Sequence, residues 1–406
     1  MKIGIISDLH LARELEKKES RFRYFSNNTY ITLKYFKKYG IDILIIVGDI
    51  SHNGKLINFS YFNKIFNDIY KGISKPKVIS FMGNHDYHDF NLSSNQNQKK
   101  FYEIIKSYPN SHFIINNFDF IFWSQDNYLV TEECITNYEW IRNNLNLARK
   151  NSRKKQKPIF LFTHIPPKNT VYGSNNLGHE GIYNLLKNYH EVICISAHSH
   201  SSLKSIKSIW QGNFTVINTQ SISYINSDNF SIDENEYEVR MDSGKNCDSM
   251  GLIAHLNNNK IIFERVEFLT ETILEEKWKI DFPLKTENFS YTFEKRNKKK
   301  IPIFPGASIK IKKNVINNLE NIYIIFNAAN HIDYVNKYKI LIENKTNGRK
   351  KCLYYYSYYY KNSRQKYKTM KFKLPHYLKH GKYYIEIYAY DPFDNESKPI
   401  KGQIII

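Results

Sequence analysis

Cysteine is scarce in this chain of 406 residues, and its spacing excludes two kinds of structural site. The four cysteines, Cys134, Cys194, Cys247 and Cys352, lie far apart and form no C-x-x-C pair. Such spacing is typical of neither a disulfide framework nor a zinc knuckle. Cys194 lies in an apolar run, and we predict that it is a small buried core residue.

The sequence also lacks an apolar run of the roughly 18 to 20 residues that are needed to span a bilayer. No signal peptide is recognised, because Met1 and Lys2 lead directly into the strand-like run at residues 3–6. We therefore predict a cytoplasmic protein without a membrane span. The content of 41% hydrophobic and 15% aromatic residues indicates a folded protein, and the length suggests about two or three domains.

Acidic residues are fewer than basic ones, and the imbalance lies mainly in the C-terminal part. The formal net charge is +20. Residues 286–406 contain 24 Lys and Arg against 9 Asp and Glu, whereas residues 1–285 contain 35 against 30. We interpret this charge mainly as a solvated surface. A nucleic acid or another polyanion bound by the C-terminal part is the alternative.

The order of apolar segments predicts an α/β domain at the N-terminus. Up to about residue 200, short apolar runs alternate with segments of helical periodicity, which is typical of a mostly parallel sheet. One helix is predicted to begin at Thr136, because Thr136 and Glu139 have the spacing of a capping box. Short strands between about residues 209 and 268 are expected to complete this domain, which we place at residues 1–285.

The rest of the chain is predicted to be a linker and an all-β domain. Residues 286–307 combine three successive lysines with Pro302, Pro305 and Gly306, as linkers often do. Beyond them, about seven short strands over roughly 100 residues suit a small β-sandwich at residues 308–406. Its clearest strand is Tyr383 to Tyr390, in which apolar residues alternate with more polar ones.

Candidate metal ligands follow five predicted strands. In chain order they are Asp8 and His10, Asp49 after Gly48, Asn84 in the turn Gly83-Asn84-His85-Asp86, His164, and His198 with His200. In an open α/β sheet, ligands bind outside the carboxyl ends of the strands. We therefore expect these side chains to meet at one edge of the domain.

The number and type of these ligands predict two metal ions. Two carboxylates, one amide and four imidazoles are too many for one four-coordinate ion, and they suit two divalent ions that share a bridging carboxylate. Mixed nitrogen and oxygen ligands without thiolate favour Mn, Fe or Zn over Mg or Ca. Such a pair, about 3.5 to 4 Å apart, lowers the pKa of a bridging water and holds a phosphoryl group for in-line attack.

Phosphoester hydrolysis also needs a proton for the leaving oxygen. His85 is next to the candidate ligand Asn84 and is not itself needed as a ligand, so it is placed to supply that proton. Either Asp86 or a backbone carbonyl is expected to orient the His85 imidazole. His85 and Asp86 are therefore the candidate catalytic residues.

These five ordered motifs resemble the signature of the calcineurin-like metallophosphoesterase superfamily over roughly residues 1–270. The resemblance implies a four-layer αββα fold, in which two packed sheets are flanked by helices. It further implies the following ligand sets, with His85 as general acid: Asp8, His10, Asp49 and His200 for one metal, and Asp49, Asn84, His164 and His198 for the other. The family usually has glycine where this chain has Ala197, and we expect this methyl group to shift the turn slightly.

The C-terminal part is similar to the fibronectin type III or immunoglobulin-like sandwiches that are appended to some bacterial members of this superfamily. Residues 381–391 and 394–397 carry that similarity.

Other residues near the motifs are not assigned as metal ligands. Arg13 closely follows His10 and is a candidate substrate contact, with a solvated loop residue as the alternative. His179 is a candidate to face the metals, and His52 and His88 are interpreted as surface residues. Substrate specificity is expected to come from the loops 11–28, 87–98 and 165–180, whose sequences do not identify a substrate.

Three functions are compatible with the sequence. The leading hypothesis is a dinuclear metal-dependent phosphohydrolase that cleaves phosphodiesters or phosphomonoesters. The second is a nuclease of the same fold that holds a phosphate backbone with the basic C-terminal part, although the catalytic domain is only mildly basic. The third is a non-catalytic metal-binding scaffold, in which we would expect an incomplete set of ligands.

Overall fold

The computed structural model describes residues 1–225, 237–239, 249–257, 259–316, 319–375, 378 and 380–406. The chain divides into two compact units, of which one comprises Met1–Asn226 and Cys247–Lys295, and the other Ser227–Asn246 and Arg296–Ile406. Cys194 is fully buried as predicted, and Cys247 lies outside the described residues. Across the described ranges, no helix has the length and apolar character needed to cross a membrane.

The first unit alternates strands and helices. Its first part contains β1 (Lys2–Ile6), α1 (Ser20–Tyr39), β2 (Ile43–Val47), α2 (Leu56–Ile69), β3 (Lys77–Phe81), α3 (Ser94–Ile105), β4 (Asn110–Ile115), β5 (Phe118–Trp123), α4 (Tyr138–Lys155), β6 (Ile159–Thr163), α5 (Ser174–Leu177), α6 (Glu180–Leu186), β7 (Val192–Ser196), β8 (Ile209–Gln211) and β9 (Thr215–Asn218). After β10 (Tyr237–Val239), which belongs to the second unit, come β11 (Met250–Leu256), β12 (Lys260–Glu267), β13 (Thr272–Ile273), β14 (Trp278–Asp281) and α7 (Phe293–Arg296).

Two sheets organise the first unit. One has the strand order β13-β12-β11-β1-β2-β3, with β14 also paired to β12, and the other has the order β4-β5-β6-β7-β9-β8. The neighbours β1, β2 and β3 are parallel, as are β5, β6, β7 and β9. Parallel pairing brings the carboxyl ends of neighbouring strands to the same edge of each sheet.

Apolar side chains point to both faces of the central strands. Ile45 of β2 and Phe162 of β6 belong to one buried cluster that contains residues from both sheets. Ile46, the next residue on β2, packs instead with apolar side chains of α1 and α2, and Leu161 packs with those of α4 and α6. Burial on both faces explains why these strands are continuous apolar runs.

The second unit is rich in strands, as the sequence predicted. It contains β15 (Ile309–Ile316), β16 (Leu319–Asn327), β17 (Lys337–Asn344), β18 (Lys350–Tyr356), β19 (Thr369–Lys373), β20 (Lys382–Tyr390) and β21 (Ile400–Ile405). They form two sheets, with the orders β10-β18-β17-β20-β21 and β15-β16-β19. On β20, Tyr383, Ile385, Ile387 and Ala389 are buried. The predicted alternation of this strand is therefore confirmed.

Some local predictions were wrong. Helix α4 begins at Tyr138 rather than at Thr136, because the Thr136 hydroxyl donates a hydrogen bond of 2.7 Å to the Asp126 carboxylate instead of capping the helix. A charged acceptor forms a stronger hydrogen bond than a backbone group does. The three predicted loops also contain helical segments. Residues 20–28 of the loop 11–28 belong to α1, and the loop 165–180 contains α5. The loop 87–98 contains the first turn of α3, whose N-cap Ser93 forms a capping box with Gln96.

Candidate metal centre

The candidate ligands occupy the ends of five parallel strands. Asp8 follows β1, Asp49 follows β2, Asn84 follows β3, His164 follows β6 and His198 follows β7. Six of the seven predicted ligands, which include His10 and His200, are buried, and His198 is partly exposed.

Sharp turns of the backbone present these side chains. Asp8, His10, Asp49, His198 and His200 have φ values between 47° and 62°, a region that residues other than glycine seldom occupy. Backbone hydrogen bonds hold the first two turns together, because Leu9 and His10 both donate to the carbonyl oxygen of Asp49, at 2.8 and 3.1 Å. Strained backbone of this kind is concentrated at functional sites.

Two glycines allow the turns to approach each other. A Cβ atom on Gly83 would lie 2.3 Å from Oδ1 of Asp49 and 2.8 Å from Cε1 of His164. A Cβ atom on Gly48 would lie 2.5 Å from Nδ1 of His164. Any side chain at these two positions would therefore displace candidate ligands.

The structure brings one group of ligands together around Asp8, His10 and His200. The Nε2 atom of His200 lies 3.0 Å from Oδ1 of Asp8 and 3.3 Å from Nε2 of His10. The Nδ1 atom of His200 lies 3.2 Å from the backbone oxygen of Tyr224. Donation to that oxygen leaves Nε2 of His200 as the atom available to a cation.

A second group consists of Asp8, Asp49 and His164. The Nε2 atom of His164 lies 3.3 Å from Oδ2 of Asp49 and 3.8 Å from Oδ1 of Asp8. His198 lies beside this group, with its ring centroid 5.2 Å from that of His164. The two groups share Asp8, so the ligands form one continuous centre.

Electrostatics favours the ionised form of both carboxylates. Burial raises the pKa of Asp8, but His200 and His164 outweigh burial and hold that pKa below its usual range. Asp49 is affected in the same way, and its pKa lies well below the usual value.

The two imidazoles differ from each other. Burial lowers the pKa of His164, but Asp49 outweighs burial and raises that pKa to about 10. Burial lowers the pKa of His198 to about 3, which keeps this imidazole neutral. Ionised carboxylates and neutral imidazoles are the forms that bind cations, so a cation bound here would displace the proton of His164.

Several buried atoms of this centre fit a pair of divalent metals. Within the described part of the chain, Oδ1 of Asn84, Oδ2 of Asp49 and Nε2 of His164 are buried and have no hydrogen-bond partner. Buried polar atoms normally have a partner, because leaving one without a partner costs about 1 to 3 kcal/mol. Nδ1 of His164 lies 2.8 Å from the backbone oxygen of Val47, which orients its Nε2 toward the carboxylates. These oxygen and nitrogen atoms are ligand types that Mn, Fe and Zn accept.

His85 and Asp86 lie next to the centre and make different contacts. The backbone N–H of His85 donates to Oδ1 of Asp49 at 2.9 Å, and Nδ1 of its ring lies 2.8 Å from the backbone oxygen of His52. The Asp86 carboxylate instead accepts backbone N–H groups of Asp49, Ser51 and Gly83, at 2.9 to 3.0 Å. Of the two groups expected to orient the His85 imidazole, the backbone carbonyl is therefore the one that contacts it.

Two residues that the sequence analysis interpreted as surface histidines belong to the site. The half-buried ring of His52 stacks on His85 with a centroid distance of 5.2 Å, and its ligand atom groups with those of His10 and His85. His88 also contacts His85, with a distance of 4.3 Å between the two ring centroids. Burial lowers the pKa values of both His52 and His88 to about 4. Their closeness in sequence to Asp49 and Asn84 is the feature that could have indicated a place in the site.

Tyr224 also packs on the site, with its ring 4.3 Å from that of His200. Tyr224 was not among the predicted site residues, because nothing in a single sequence connects position 224 with position 200.

The two candidate substrate contacts are engaged elsewhere. The guanidinium of Arg13 forms an ion pair with Glu16 and lies over the Tyr61 ring at 4.8 Å. His179 is the N-cap of α6, and its Nδ1 lies 3.0 Å from Oε2 of Glu132. Neither side chain belongs to the groups of candidate ligands described above.

Comparison with known proteins assigns the fold of this part. Residues 1–202 match the family model of the calcineurin-like phosphoesterases. The N-terminal part therefore contains a calcineurin-like phosphoesterase domain, with the mixed α/β fold of metallophosphoesterases. This family uses divalent metals, as the resemblance implied. No curated protein matches the chain.

Several solved structures are similar to the chain. A dimetal phosphatase from Danio rerio has 12% sequence identity and a TM-score of 0.47, over 70% of this chain and 99% of that one. A purple acid phosphatase from yellow lupin has 11% identity and a TM-score of 0.41, over 69% and 53%. Zinc-bound Vps29 from Entamoeba histolytica has 10% identity and a TM-score of 0.31, over 69% and 99%.

Proposed function

We propose that this protein is a dinuclear metal-dependent phosphohydrolase that cleaves phosphodiesters or phosphomonoesters. The observation that carries the proposal is the convergence of the candidate ligands at strand ends. Six of the seven are buried, and several of their ligand atoms have no hydrogen-bond partner in the described residues. A scaffold without metal would have no need to keep a buried carboxylate, amide and imidazole in this state.

The proposed ligand sets are those that the resemblance to the superfamily implies, and they share Asp49. Asp8, His10, Asp49 and His200 would hold one metal. Asp49, Asn84, His164 and His198 would hold the other, so Asp49 belongs to both sets. When bound, the two divalent ions, for which Mn, Fe and Zn are the candidates, supply an activated water and neutralise charge on the phosphoryl group.

His85 supplies the proton to the leaving oxygen. The carbonyl of His52 accepts the Nδ1 proton, which leaves Nε2 as the atom that transfers a proton to substrate. The backbone hydrogen bond from His85 to Asp49 joins the proton donor to the bridging carboxylate. His85 and the Asp49 carboxylate therefore keep a constant spacing, as general acid catalysis requires.

Asp86 acts as a positioning residue in this proposal. Its carboxylate holds the turn after β2 and the turn after β3 together, because it accepts N–H groups from both Asp49 and Gly83. Asp86 therefore sets the distance between Asp49 and Asn84 rather than the orientation of His85.

The organisation of the chain is part of the proposal. We assign residues 1–285 to a four-layer αββα catalytic domain, 286–307 to a linker and 308–406 to a fibronectin type III or immunoglobulin-like β-sandwich. Helices that pack on the outer faces of the two sheets support the first assignment. A buried cluster that contains residues of both C-terminal sheets supports the last one.

The test uses the full chain stripped of metal. Mn²⁺, Fe²⁺, Zn²⁺ and Mg²⁺ are added back singly, and the hydrolysis of bis-(4-nitrophenyl) phosphate and 4-nitrophenyl phosphate is measured together with metal content. We expect two ions per chain and metal-dependent turnover that is lost in His85→Ala and Asp49→Ala. The ratio of diester to monoester turnover then narrows the substrate class. Failure to bind any of these metals would overturn the proposal.

A further inference from the structure

Three aromatic side chains form a surface next to the proposed active site. This aromatic patch consists of His88, Phe90 and Tyr128. The rings of His88 and Phe90 stack at 5.2 Å with an interplanar angle of 26°, and Tyr128 meets Phe90 edge to face at 5.2 Å. Phe90 is 68% exposed and Tyr128 is 47% exposed. Large aromatic rings are normally placed where they bury their surface, so a contiguous exposed group near an active site indicates binding.

The aromatic patch is continuous with the proton donor. The ring of His88 lies 4.3 Å from that of His85, and the ring of His85 lies 4.5 Å from that of the candidate ligand His10. A path of ring contacts therefore leads from the metal centre through His85 to the exposed face of Phe90. Because the patch contacts the proposed proton donor, a leaving group that His85 protonates would lie next to it.

The loop that carries Phe90 is held in place by buried polar contacts. The side-chain amide of Asn97, which is buried, donates to the backbone oxygens of Tyr87 and Asp89, at 3.4 and 3.2 Å. Lys100 forms an ion pair of 2.9 Å with Asp89. The loop is therefore shaped by its own contacts before any ligand binds.

The loop that carries Tyr128 is held in a similar way. The buried Gln125 side chain donates to the backbone oxygens of Asn127 and Leu129, at 2.6 and 3.1 Å, on either side of Tyr128. The Tyr87 hydroxyl connects the two loops, because it donates to the backbone oxygen of Gln125 at 2.7 Å. An aromatic surface that is ordered in advance loses little entropy when a planar ligand stacks on it.

We propose that the aromatic patch binds the base of a nucleoside that is esterified to the scissile phosphate, on the leaving-group side. This inference rests on the proposed phosphohydrolase function and specifies its substrate as a nucleotide. A base presents a planar π-face, and stacking on aromatic side chains tolerates any base. The ion pair between Lys100 and Asp89 neutralises the nearby lysine, which favours a stacked base over a further phosphate group at this position.

The experiment compares substrates that differ only in the base. AMP and ribose 5-phosphate have the same phosphate ester and the same leaving oxygen, and their methyl diesters extend the comparison if the enzyme prefers diesters. We expect the wild-type protein to show a higher kcat/KM for the substrate with the base. Phe90→Ala and Tyr128→Ala should each lower the ratio of the two kcat/KM values by about tenfold. Phe90→Trp should keep the ratio high.

Tyr108→Ala is the matched control. Tyr108 is an exposed tyrosine that stacks on Tyr102 at 4.5 Å, and neither ring contacts His85 or His88 in the described structure. This variant should leave the ratio unchanged. A ratio of one in the wild-type protein, or equal losses with both substrates in Phe90→Ala, would overturn the inference.

A binding measurement separates this inference from the proposed function. Calorimetric titration of the metal-reconstituted protein with non-hydrolysable phosphonate analogues of AMP and of ribose 5-phosphate gives the ratio of their dissociation constants without turnover. We expect the AMP analogue to bind about tenfold more tightly, and Phe90→Ala to abolish the difference. If no phosphoester is hydrolysed, the proposed function fails, whereas the binding ratio still decides the role of the aromatic patch. Equal affinities would overturn that role even if hydrolysis is observed.

Discussion

The Nδ1 atom of His85 lies 2.8 Å from the backbone carbonyl oxygen of His52. This contact assigns the Nδ1 proton to the carbonyl and directs Nε2 of His85 away from it. The acceptor is part of the backbone, so it does not depend on the side chain at position 52. The side chain of His52 contributes separately, through the stacking of its ring on His85.

The first prediction concerns proton donation. His85→Asn should lower kcat by about 10²- to 10⁴-fold, because the leaving oxygen then departs without a proton. The loss should be larger for alkyl esters than for 4-nitrophenyl esters, whose leaving group is stable as an anion. Steady-state kinetics with a series of leaving groups measures this difference, and metal content should not change.

Two control variants test whether the loss of kcat is specific to proton donation by His85. His52→Ala keeps the backbone carbonyl and should therefore reduce kcat far less than His85→Asn does. His190→Ala removes a half-exposed histidine elsewhere in the first unit and should have no effect. A loss in His85→Asn that is the same for every leaving group would contradict proton donation.

The second prediction concerns the bridging carboxylate. Asp49→Asn should reduce the metal content of the purified protein below two ions per chain and abolish turnover, because a neutral amide is a weaker ligand for a divalent ion. Asp42→Asn is the matched control, since Asp42 is an exposed aspartate at the opposite end of the same strand. Elemental analysis measures the ions per chain. Two ions in Asp49→Asn would rule out Asp49 as a necessary ligand.

The third prediction concerns the close approach of two turns. In Gly83→Ala, the added methyl group would lie 2.3 Å from Oδ1 of Asp49. We expect weaker metal binding and a free energy of unfolding that is lower by about 1 to 3 kcal/mol, as in overpacked sites. Thermal unfolding and metal titration measure the two effects. In Gly381→Ala the nearest atom is 3.7 Å away, so this variant should behave like the wild-type protein.

The fourth prediction concerns the dependence of stability on pH. Glu264 on β12 is buried, and its carboxylate lies 2.5 Å from Nζ of Lys277, 2.6 Å from the Tyr39 hydroxyl and 3.1 Å from Nε2 of His255. Burial raises the pKa of Glu264, but these partners outweigh it and lower the pKa from 4.5 to about 2. The lowered pKa means that Glu264 stabilises the fold above about pH 4.5, and that this contribution is lost as the pH falls toward 2.

Glu264→Gln should therefore lower the free energy of unfolding by about 2 kcal/mol at pH 7, and the difference from the wild-type protein should shrink below pH 4.5. Denaturant unfolding at a series of pH values measures this difference. Glu275→Gln, at an exposed position in the same unit, is the control. A difference that does not change between pH 7 and pH 3 would contradict the role of the charge.

Some elements of the fold were predictable because their signal is local. The apolar runs at residues 43–47 and 118–123 are examples, because they form β2 and β5 with those bounds. Apolar runs that end in a turn leave few alternatives to a β-strand. The start of α4 was not predictable, because Thr136 binds Asp126, ten residues away. A capping box read from sequence assumes that no better partner is near.

The sequence by itself determined which ligand types this protein carries and that each follows a strand. Those features depend on neighbouring residues, since apolar runs form strands and their ends define positions along the chain. Only the tertiary structure decided that His52 stacks on His85, and that Tyr128 meets Phe90 although 38 residues separate them. Such contacts arise because two separate loops are brought together above the sheet ends. Their geometry depends on the packing of the whole unit, which no local pattern in the sequence records.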